Sequence, residues 1–206
     1  MPESATASAV LKLSGAIIIG SIPFSNIVSH KAAGQDLRQV STGTVSPTSV
    51  YRVAGAFPFA IACLLECGKG AAVATTVRRS GPALAAVAAG LTVAGHNWSP
   101  FLKGAGGRGV LPTMGFLLVT APQGAGLFTG AVTIGYLIGD SAPACLAAQV
   151  LLVPVLRHAY GKRGLLLAVA VTTPMLVKRL LGNHRPGDDR LRDALLARLV
   201  FDRDRR

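Results

Sequence analysis

Apolar residues in this chain gather in long blocks separated by short polar stretches, and they do not form the narrow stripes of soluble amphipathic helices. A membrane-crossing helix needs about 20 predominantly apolar residues. The blocks predict seven such helices: Leu13–Val28, Val53–Val77, Pro82–Trp98, Val110–Ala121, a fifth from the turn Pro122–Gly126 to about Gly139, Ala144–Leu156 and Gly164–Leu181. Several blocks fall short of this length, so a count of five or six also fits the pattern.

Two of the predicted helices carry residues that lipid-facing surfaces avoid. The first has Pro23 and three polar residues near its end, Ser21, Ser25 and Asn26. This group predicts a bent helix end beside a polar cavity. In the second, Glu66 and Lys69 are three residues apart and share a helical face, where they can pair. Ionisable groups at membrane depth usually mark a site, although a lysine near a helix end also reaches the surface by snorkelling.

The composition agrees with a membrane protein. Half of the 206 residues are apolar, only 15% are charged, and the mean hydropathy is +0.49. Soluble domains carry about 25% charged residues. We therefore predict an all-α, polytopic integral membrane bundle over residues 1–182, followed by a charged cytoplasmic tail over 183–206. The tail is expected to be disordered or a short amphipathic surface helix with Leu191, Leu195, Leu196 and Leu199.

The net charge of +12 has a distribution that argues against nucleic acid as a partner. Nine of the 21 Lys and Arg residues lie between Lys178 and the C-terminus, next to the last apolar block. A cluster in this position indicates a cytoplasmic end facing anionic membrane lipids. With seven helices and the N-terminus outside, inner loops hold fourteen cations and outer loops five, which satisfies the positive-inside rule.

A glycine-rich basic loop follows the third predicted helix. His96 and Asn97 stand at its mouth, and its centre reads Gly104-Ala105-Gly106-Gly107-Arg108-Gly109. Glycines allow successive backbone N–H groups to approach an anion, and arginine offers a planar fork that suits phosphate. The loop is therefore a candidate phosphate site, formed by the N–H groups of Gly106 to Gly109 with Arg108. The alternative is a flexible connector between two helices.

A second loop, residues 29–52, is predicted on the same cytoplasmic side. Its centre is rich in hydroxyl and turn-forming residues, and Arg38 and Arg52 flank it. A solvated linker is one interpretation, and a site for a phosphate monoester is the other. The three cysteines form neither a disulfide framework nor a convincing metal site, so no metal is predicted.

The chain resembles the PlsY family, the bacterial acyl-phosphate:glycerol-3-phosphate acyltransferases. The resemblance covers residues from about 10 to 182. It is carried by the segments Gly20 to Ser25, Asp36-Leu37-Arg38, Glu66 to Gly70, Gly95 to Leu102 and Gly106 to Val110. The fourth and fifth of these form the most specific motif, and the others support it.

The chain departs from the family pattern at several positions. The family's Gly-Ser-Gly-Asn segment is Ser41-Thr42-Gly43-Thr44 here, and its following Gly-Ala-Thr-Asn-Val is Ser46 to Val50. Both asparagines are lost, while Thr42 keeps a hydroxyl and Gly43 keeps the turn. The family's Ser-Leu-Ala-Ser-like segment is matched only loosely, at Asp140 to Ala144. The histidine and asparagine of the family's last helix correspond to Thr173 and Leu176.

The resemblance implies transfer of a fatty acyl group from acyl phosphate to glycerol 3-phosphate, yielding lysophosphatidic acid and phosphate in a bacterial plasma membrane. No cofactor is required, because acyl phosphate is already activated. Arg108 with its glycines would bind the acyl phosphate. Glycerol 3-phosphate would be bound by Arg38, Thr42, Gly43 and Arg52, with Lys69 below them. His96 either takes the hydroxyl proton as a base or anchors a substrate, since a substrate phosphate oxygen can also take that proton.

Two other functions remain open at this point. A catalytically degenerate relative would bind lipid phosphates or a partner without turnover, which the lost Asn and His residues favour. A small-anion transporter would also need basic groups and glycine breaks in the membrane, but its two halves should match and no internal repeat is visible.

Overall fold

Helices are the only regular secondary structure in the described part of the chain. A computed structural model describes residues 2–40, 43–183 and 198–200, and no β-strand occurs among them. The α-helices are α1 Pro2–Ser21, α2 Phe24–Ala33, α3 Pro47–Ala54, α4 Ala56–Val77, α5 Pro82–Asn97, α6 Val110–Thr120, α7 Pro122–Leu137 and α8 Ser141–Leu181, with 3₁₀ turns at Leu37–Gln39 and Pro100–Leu102. Within these residues, three stretches are long and apolar enough to cross a membrane: Ala5–Ala33, Ala56–Val77 and Ser141–Leu181.

The first apolar stretch is broken at Ile22-Pro23, between α1 and α2. Proline has no backbone N–H and interrupts helical hydrogen bonding, which leaves nearby carbonyls in need of donors. The carbonyl of Ile22 accepts a hydrogen bond from Lys69 Nζ of α4 at 2.9 Å. Ser21 and Ser25 are buried on either side of the break. The predicted bend beside polar groups is therefore confirmed.

Helix α8 consists of two antiparallel halves. Its backbone leaves helical geometry at Gly161, where φ is 61°. Both terminal nitrogens of Arg179 donate to the carbonyl of Ala142, at 3.2 and 3.1 Å, so the two ends of α8 meet. The predicted sixth and seventh helices are thus both present, and the connection between them, expected over 157–163, is a sharp turn at Gly161.

Some predicted boundaries are wrong. The loop 29–52 is partly helical, because α2 continues to Ala33 and α3 begins at Pro47 with Ser46 as its N-cap. The second predicted helix begins later than expected, at Ala56, because Gly55 adopts a positive φ of 84°. Instead of a turn at Pro122–Gly126, α7 starts at Pro122 after a one-residue break.

The helices pack closely through glycines. α4 packs mainly on α6, α1 on α5, and α8 on both α5 and α7. A Cβ atom on Gly115 of α6 would lie 1.8 Å from the carbonyl oxygen of Cys67, so these two backbones are in direct contact. This contact holds α6 and the loop that precedes it against the polar middle of α4.

Most of the predicted tail lies outside the described residues, including Leu191, Leu195 and Leu196. Residues 198–200 are helical and lie at the end of α8. Arg179 donates to the carbonyl of Leu199 at 2.7 Å, and Arg198 donates to the carbonyl of Leu181 at 3.1 Å. The division into a bundle and a tail stays a prediction.

Candidate active site

The glycine-rich loop is compact and begins directly at the end of α5. His96 and Asn97 are the last two residues of that helix. The loop turns back on itself, with the N–H of Ser99 donating to the Ala105 carbonyl at 3.1 Å and the N–H of Gly104 donating to the Ser99 carbonyl at 2.9 Å. It ends at Gly109, whose φ of 77° allows the chain to enter α6. This ordered fold does not fit a flexible connector.

The two predicted phosphate loops are in contact. The N–H of Val45 donates to the carbonyl of Gly106 at 3.2 Å. Asn183, just beyond α8, donates from Nδ2 to the carbonyls of Gly43 at 3.3 Å and Gly106 at 3.1 Å, and its Oδ1 accepts from the Gly106 N–H at 3.3 Å. Both loops and the end of α8 therefore form one structural unit at one end of the bundle.

Replacing Asn183 by alanine is expected to loosen this unit. The variant loses three long hydrogen bonds, each contributing about 0.5–1 kcal/mol net, so it should lose about 1.5–3 kcal/mol of unfolding free energy. For a chain of this size, that loss lowers the unfolding midpoint by roughly 3–12 °C. Thermal unfolding of purified protein in detergent measures the difference. Gln35→Ala, at an exposed position, is the control. Equal unfolding midpoints for the two variants would contradict the role of Asn183 in joining the two loops.

A buried group of polar side chains lies beneath the loop. Glu66 is fully buried, and its Oε1 accepts from the N–H and the hydroxyl of Ser25 at 3.0 and 2.9 Å. Its Oε2 lies 2.6 Å from Lys69 Nζ and 3.2 Å from His96 Nδ1. The predicted pairing of Glu66 with Lys69 is confirmed. The ammonium of Lys69 is enclosed by protein atoms and does not snorkel, so its predicted contact with glycerol phosphate is not supported by this arrangement.

The N–H groups of Gly106 and Gly107 do not form the predicted phosphate site. The Gly106 N–H donates to Asn183, and the Gly107 N–H donates to the carbonyl of His96 at 3.3 Å. These two N–H groups already have protein acceptors and do not form an open anion nest, which corrects the prediction for them. Their glycines serve close packing, because a Cβ on Gly107 would lie 2.3 Å from His96 Nε2.

Two cations of the site come from different elements and meet at the end of α8. Arg108 is 8% exposed, and its Nη1 donates to the carbonyl of Lys178 at 2.8 Å. Lys178 is 1% exposed; its Nζ lies 3.4 Å from the carbonyl of Gly104 and 5.5 Å from the ring centroid of Trp98. Sequence reasoning missed Lys178 by counting it with the charged tail. The signal was its helical spacing of three residues from Met175, which is also buried.

Of the remaining predicted residues that the structure describes, Gly43 and Asn97 contact this unit, while Arg38 and Arg52 lie on the two elements that flank the second loop. Asn97 is buried and donates from Nδ2 to the carbonyl of Pro174 at 2.8 Å. Arg38, on the 3₁₀ turn, is held by Asp36, and this guanidinium holds the pKa of Asp36 below its usual range. Gly43 has a φ of 69° and is buried, and Arg52 is exposed on α3. Thr42 lies outside the described residues.

Of the two positions in the last helix that depart from the family pattern, Thr173 is exposed and Leu176 is partly buried. The Thr173 hydroxyl donates to the carbonyl of Val169 within the same helix at 2.8 Å. The side of α8 that faces α5 and α6 presents Met175, whose sulfur accepts from the Thr113 hydroxyl at 3.6 Å, and Lys178.

Comparison with known proteins gives consistent matches. Residues 10–192 match the protein family described as glycerol-3-phosphate acyltransferase. The chain is 40% identical to glycerol-3-phosphate acyltransferase 2 of Moorella thermoacetica over 114 residues, which are 55% of this chain and 59% of that protein. It is 33% identical to the glycerol-3-phosphate acyltransferase of Caulobacter vibrioides over 164 residues, 76% of this chain and 75% of that protein.

A solved structure has the same fold. The crystal structure of PlsY (YgiH), an integral membrane glycerol 3-phosphate acyltransferase, in its glycerol 3-phosphate form, matches with a TM-score of 0.73 and 26% identity. The match covers 84% of this chain and 88% of that one. Among the curated relatives, the matched segments span only 59% and 62% of the proteins from Moorella thermoacetica and Halalkalibacterium halodurans.

Proposed function

The chain belongs to the glycerol-3-phosphate acyltransferase family, and from this premise we propose that it moves a fatty acyl group from acyl phosphate to glycerol 3-phosphate. A hydroxyl oxygen of glycerol 3-phosphate attacks the acyl carbonyl carbon, and the bond from that carbon to the phosphate oxygen breaks. The products are lysophosphatidic acid and inorganic phosphate, and the hydroxyl proton leaves with the phosphate or with solvent. The reaction needs positioning and charge stabilisation more than activation.

One observation carries the proposal: the two loops that resemble the family's phosphate-binding motifs are joined directly. The Val45–Gly106 hydrogen bond and the bridge through Asn183 hold them together. A reaction between two phosphate-bearing substrates requires two anion sites within reach of one another. An acyl tail can lie between the apolar helices while its phosphate stays at the loops.

We assign the acyl phosphate to Arg108 and the start of α6, where Gly109 and the positive end of the helix favour an anion. Arg38 and Arg52, with Gly43 between them in sequence, are assigned to glycerol 3-phosphate. His96 acts at the junction between these sites. Lys178, buried beside the loop, adds a further positive charge.

We also propose a membrane arrangement. With α1 and α2 counted as one crossing and α8 as two, the described helices supply seven apolar segments, α3 excluded. An odd number puts the termini on opposite sides, and the excess of cations in the inner loops favours an outer N-terminus and a cytoplasmic C-terminus. The bundle over 1–182 would then lie in the bacterial plasma membrane with its substrates approaching from the cytoplasm.

Purified protein in detergent, given acyl phosphate and glycerol 3-phosphate, is expected to release phosphate and form lysophosphatidic acid. Arg38→Ala should raise the KM for glycerol 3-phosphate by about 10- to 100-fold, since a hydrogen bond to a charged group contributes about 1.5–3 kcal/mol. Phosphate release and mass spectrometry of the lipid product provide the measurement.

The matched control is Arg78→Ala, which removes an exposed arginine at the C-terminal end of α4. It should leave both KM values unchanged. Wild-type protein that is folded but forms no lysophosphatidic acid would contradict the proposed reaction and favour a relative that binds without turnover.

A further inference from the structure

The ammonium group of Lys69 faces three polar atoms. Its Nζ lies 2.6 Å from Glu66 Oε2, 2.9 Å from the carbonyl oxygen of Ile22 and 3.0 Å from His96 Nδ1. An ammonium carries three N–H donors and has no acceptor. The contacts with the Ile22 carbonyl and with His96 Nδ1 have hydrogen-bond geometry, and the contact with Glu66 is an ion pair.

The contacts of His96 Nδ1 indicate which nitrogen of the ring carries a proton. A contact of 3.0 Å between a ring nitrogen and an ammonium is favourable only if the ring nitrogen offers a lone pair, because two N–H donors at that distance repel each other. Nδ1 also lies 3.2 Å from Glu66 Oε2, but among the described residues that oxygen has no partner in hydrogen-bond geometry. A neutral imidazole with an accepting Nδ1 carries its proton on Nε2.

Glu66 keeps Lys69 in the charged state on which this depends. The carboxylate is fully buried; its Oε1 accepts two hydrogen bonds from Ser25, and its Oε2 is paired with the Lys69 ammonium at 2.6 Å. Stability alone does not explain such a group, since apolar side chains of similar volume often serve a fold as well as a buried ion pair. Through Ile22 and Ser25 these charges also hold α4 against the break between α1 and α2. Their remaining neighbour is His96 Nδ1, so Glu66 and Lys69 also support that ring.

The other edge of the imidazole faces the glycine loop. A Cβ on Gly107 would lie 2.3 Å from His96 Nε2 and 2.7 Å from the carbonyl oxygen of Val45. The Nε2 atom is thus directed at the place where both loops meet. A proton on Nε2 makes this edge a donor towards any oxygen atom bound there.

We propose that Lys69, held charged by Glu66, fixes His96 as the neutral Nε2–H tautomer, so that His96 donates a hydrogen bond to a substrate phosphate oxygen and does not act as the base. The role at the substrate rests on the proposed function, whereas the tautomer does not. Lys69 and Glu66 are positioning residues in this scheme, and His96 is the group that touches the substrate.

The tautomer is tested first, without any need for activity. In protein labelled with ¹⁵N-histidine, in detergent at neutral pH, the His96 ring is identified among the four histidines by the loss of its signals in His96→Gln, and it should have a protonated Nε2 and an unprotonated Nδ1. Glycerol 3-phosphate and inorganic phosphate are then added separately, and a shift of the Nε2 signal with either identifies which phosphate is the acceptor. A doubly protonated ring, a proton on Nδ1, or no shift with either probe would overturn the proposal.

The double variant Glu66→Gln/Lys69→Met removes both buried charges together and avoids leaving one unpaired. Without these charges Nδ1 of His96 no longer has to accept from an ammonium. The His96 signals should then show a mixture of the two tautomers or the Nδ1–H tautomer. An unchanged Nε2–H signal in this folded variant would show that other groups set the tautomer and would overturn the role of Lys69.

Measurements of kcat in two His96 variants distinguish a hydrogen-bond donor from a base at this position. The amide nitrogen of glutamine reaches a position similar to Nε2 and donates, but it cannot accept a proton. We expect His96→Ala to lower kcat by about 100-fold, as for loss of one donor to a developing charge, and His96→Gln to stay within about tenfold of wild type. Equal losses in the two variants would identify a base and overturn the proposal. A wild-type protein with no turnover would instead contradict the proposed function, and the NMR result would still decide the tautomer.

Discussion

Replacing Gly70 by alanine is expected to destabilise the helical bundle by about 3 kcal/mol, because overpacking against rigid atoms is among the more costly core changes. A Cβ at this position would lie 2.0 Å from the carbonyl oxygen of Pro112 and 2.9 Å from the backbone nitrogen of Phe116. Backbone atoms of a packed helix cannot rotate away as a side chain can, so α4 and α6 would have to separate. The expected fall in the unfolding midpoint in detergent is roughly 6–12 °C.

Gly68 provides a control two residues away in the same helix. A Cβ there would meet nothing within 4 Å, and the position is exposed. Alanine favours a helix over glycine by about 1 kcal/mol, so Gly68→Ala should be neutral or slightly stabilising. Similar midpoints for the Gly68 and Gly70 variants would refute the close contact between α4 and α6.

Gly106→Ala is expected to reduce kcat/KM by at least about 100-fold, since a displacement of about 1 Å in a positioning loop can cost this much. Its Cβ would lie 2.3 Å from the carbonyl oxygen of His96 and 2.4 Å from that of Asn97. Relief of these contacts moves the loop away from the end of α5 and disturbs the bonds to Val45 and Asn183. The assay is phosphate release at varied glycerol 3-phosphate concentration, on protein shown to be helical by circular dichroism.

Gly126→Ala in α7 is the comparison for this variant, because nothing lies within 4 Å of the added methyl group. Its activity should equal that of wild type. If Gly106→Ala keeps more than about a third of wild-type activity, the loop tolerates a shift that a positioning role would not allow.

Most of the helices could be predicted because a long apolar block is a local signal of a membrane helix. The bend after α1 could be predicted because Pro23 is a local signal of a break. The sequence also predicted the pair Glu66 and Lys69, since a spacing of three residues defines a helical face. The segment 47–54 was missed as a helix because it is too short and polar to show a block. The helical start at Pro122 was missed because proline and glycine also indicate a turn.

The fine structure of the site could not be predicted, because it depends on contacts between distant positions. Asn183 joins Gly106 and Gly43 from 77 and 140 residues away. Gly106 and Gly107 looked like anion-binding N–H groups, but tertiary acceptors occupy them. Lys178 looked like part of a lipid-facing basic tail, yet the fold turns it inward beside Trp98.

The shortness of α6 has a consequence for the surrounding lipid. Its 11 residues rise only about 16 Å, roughly half of a hydrocarbon layer about 30 Å thick. In the proposed membrane arrangement, a mismatch of this size would be relieved by thinning of the adjacent leaflet or by water reaching down the helix. Lipid headgroups would then lie closer to the loop at the start of α6, where the phosphate groups of the two proposed substrates could meet.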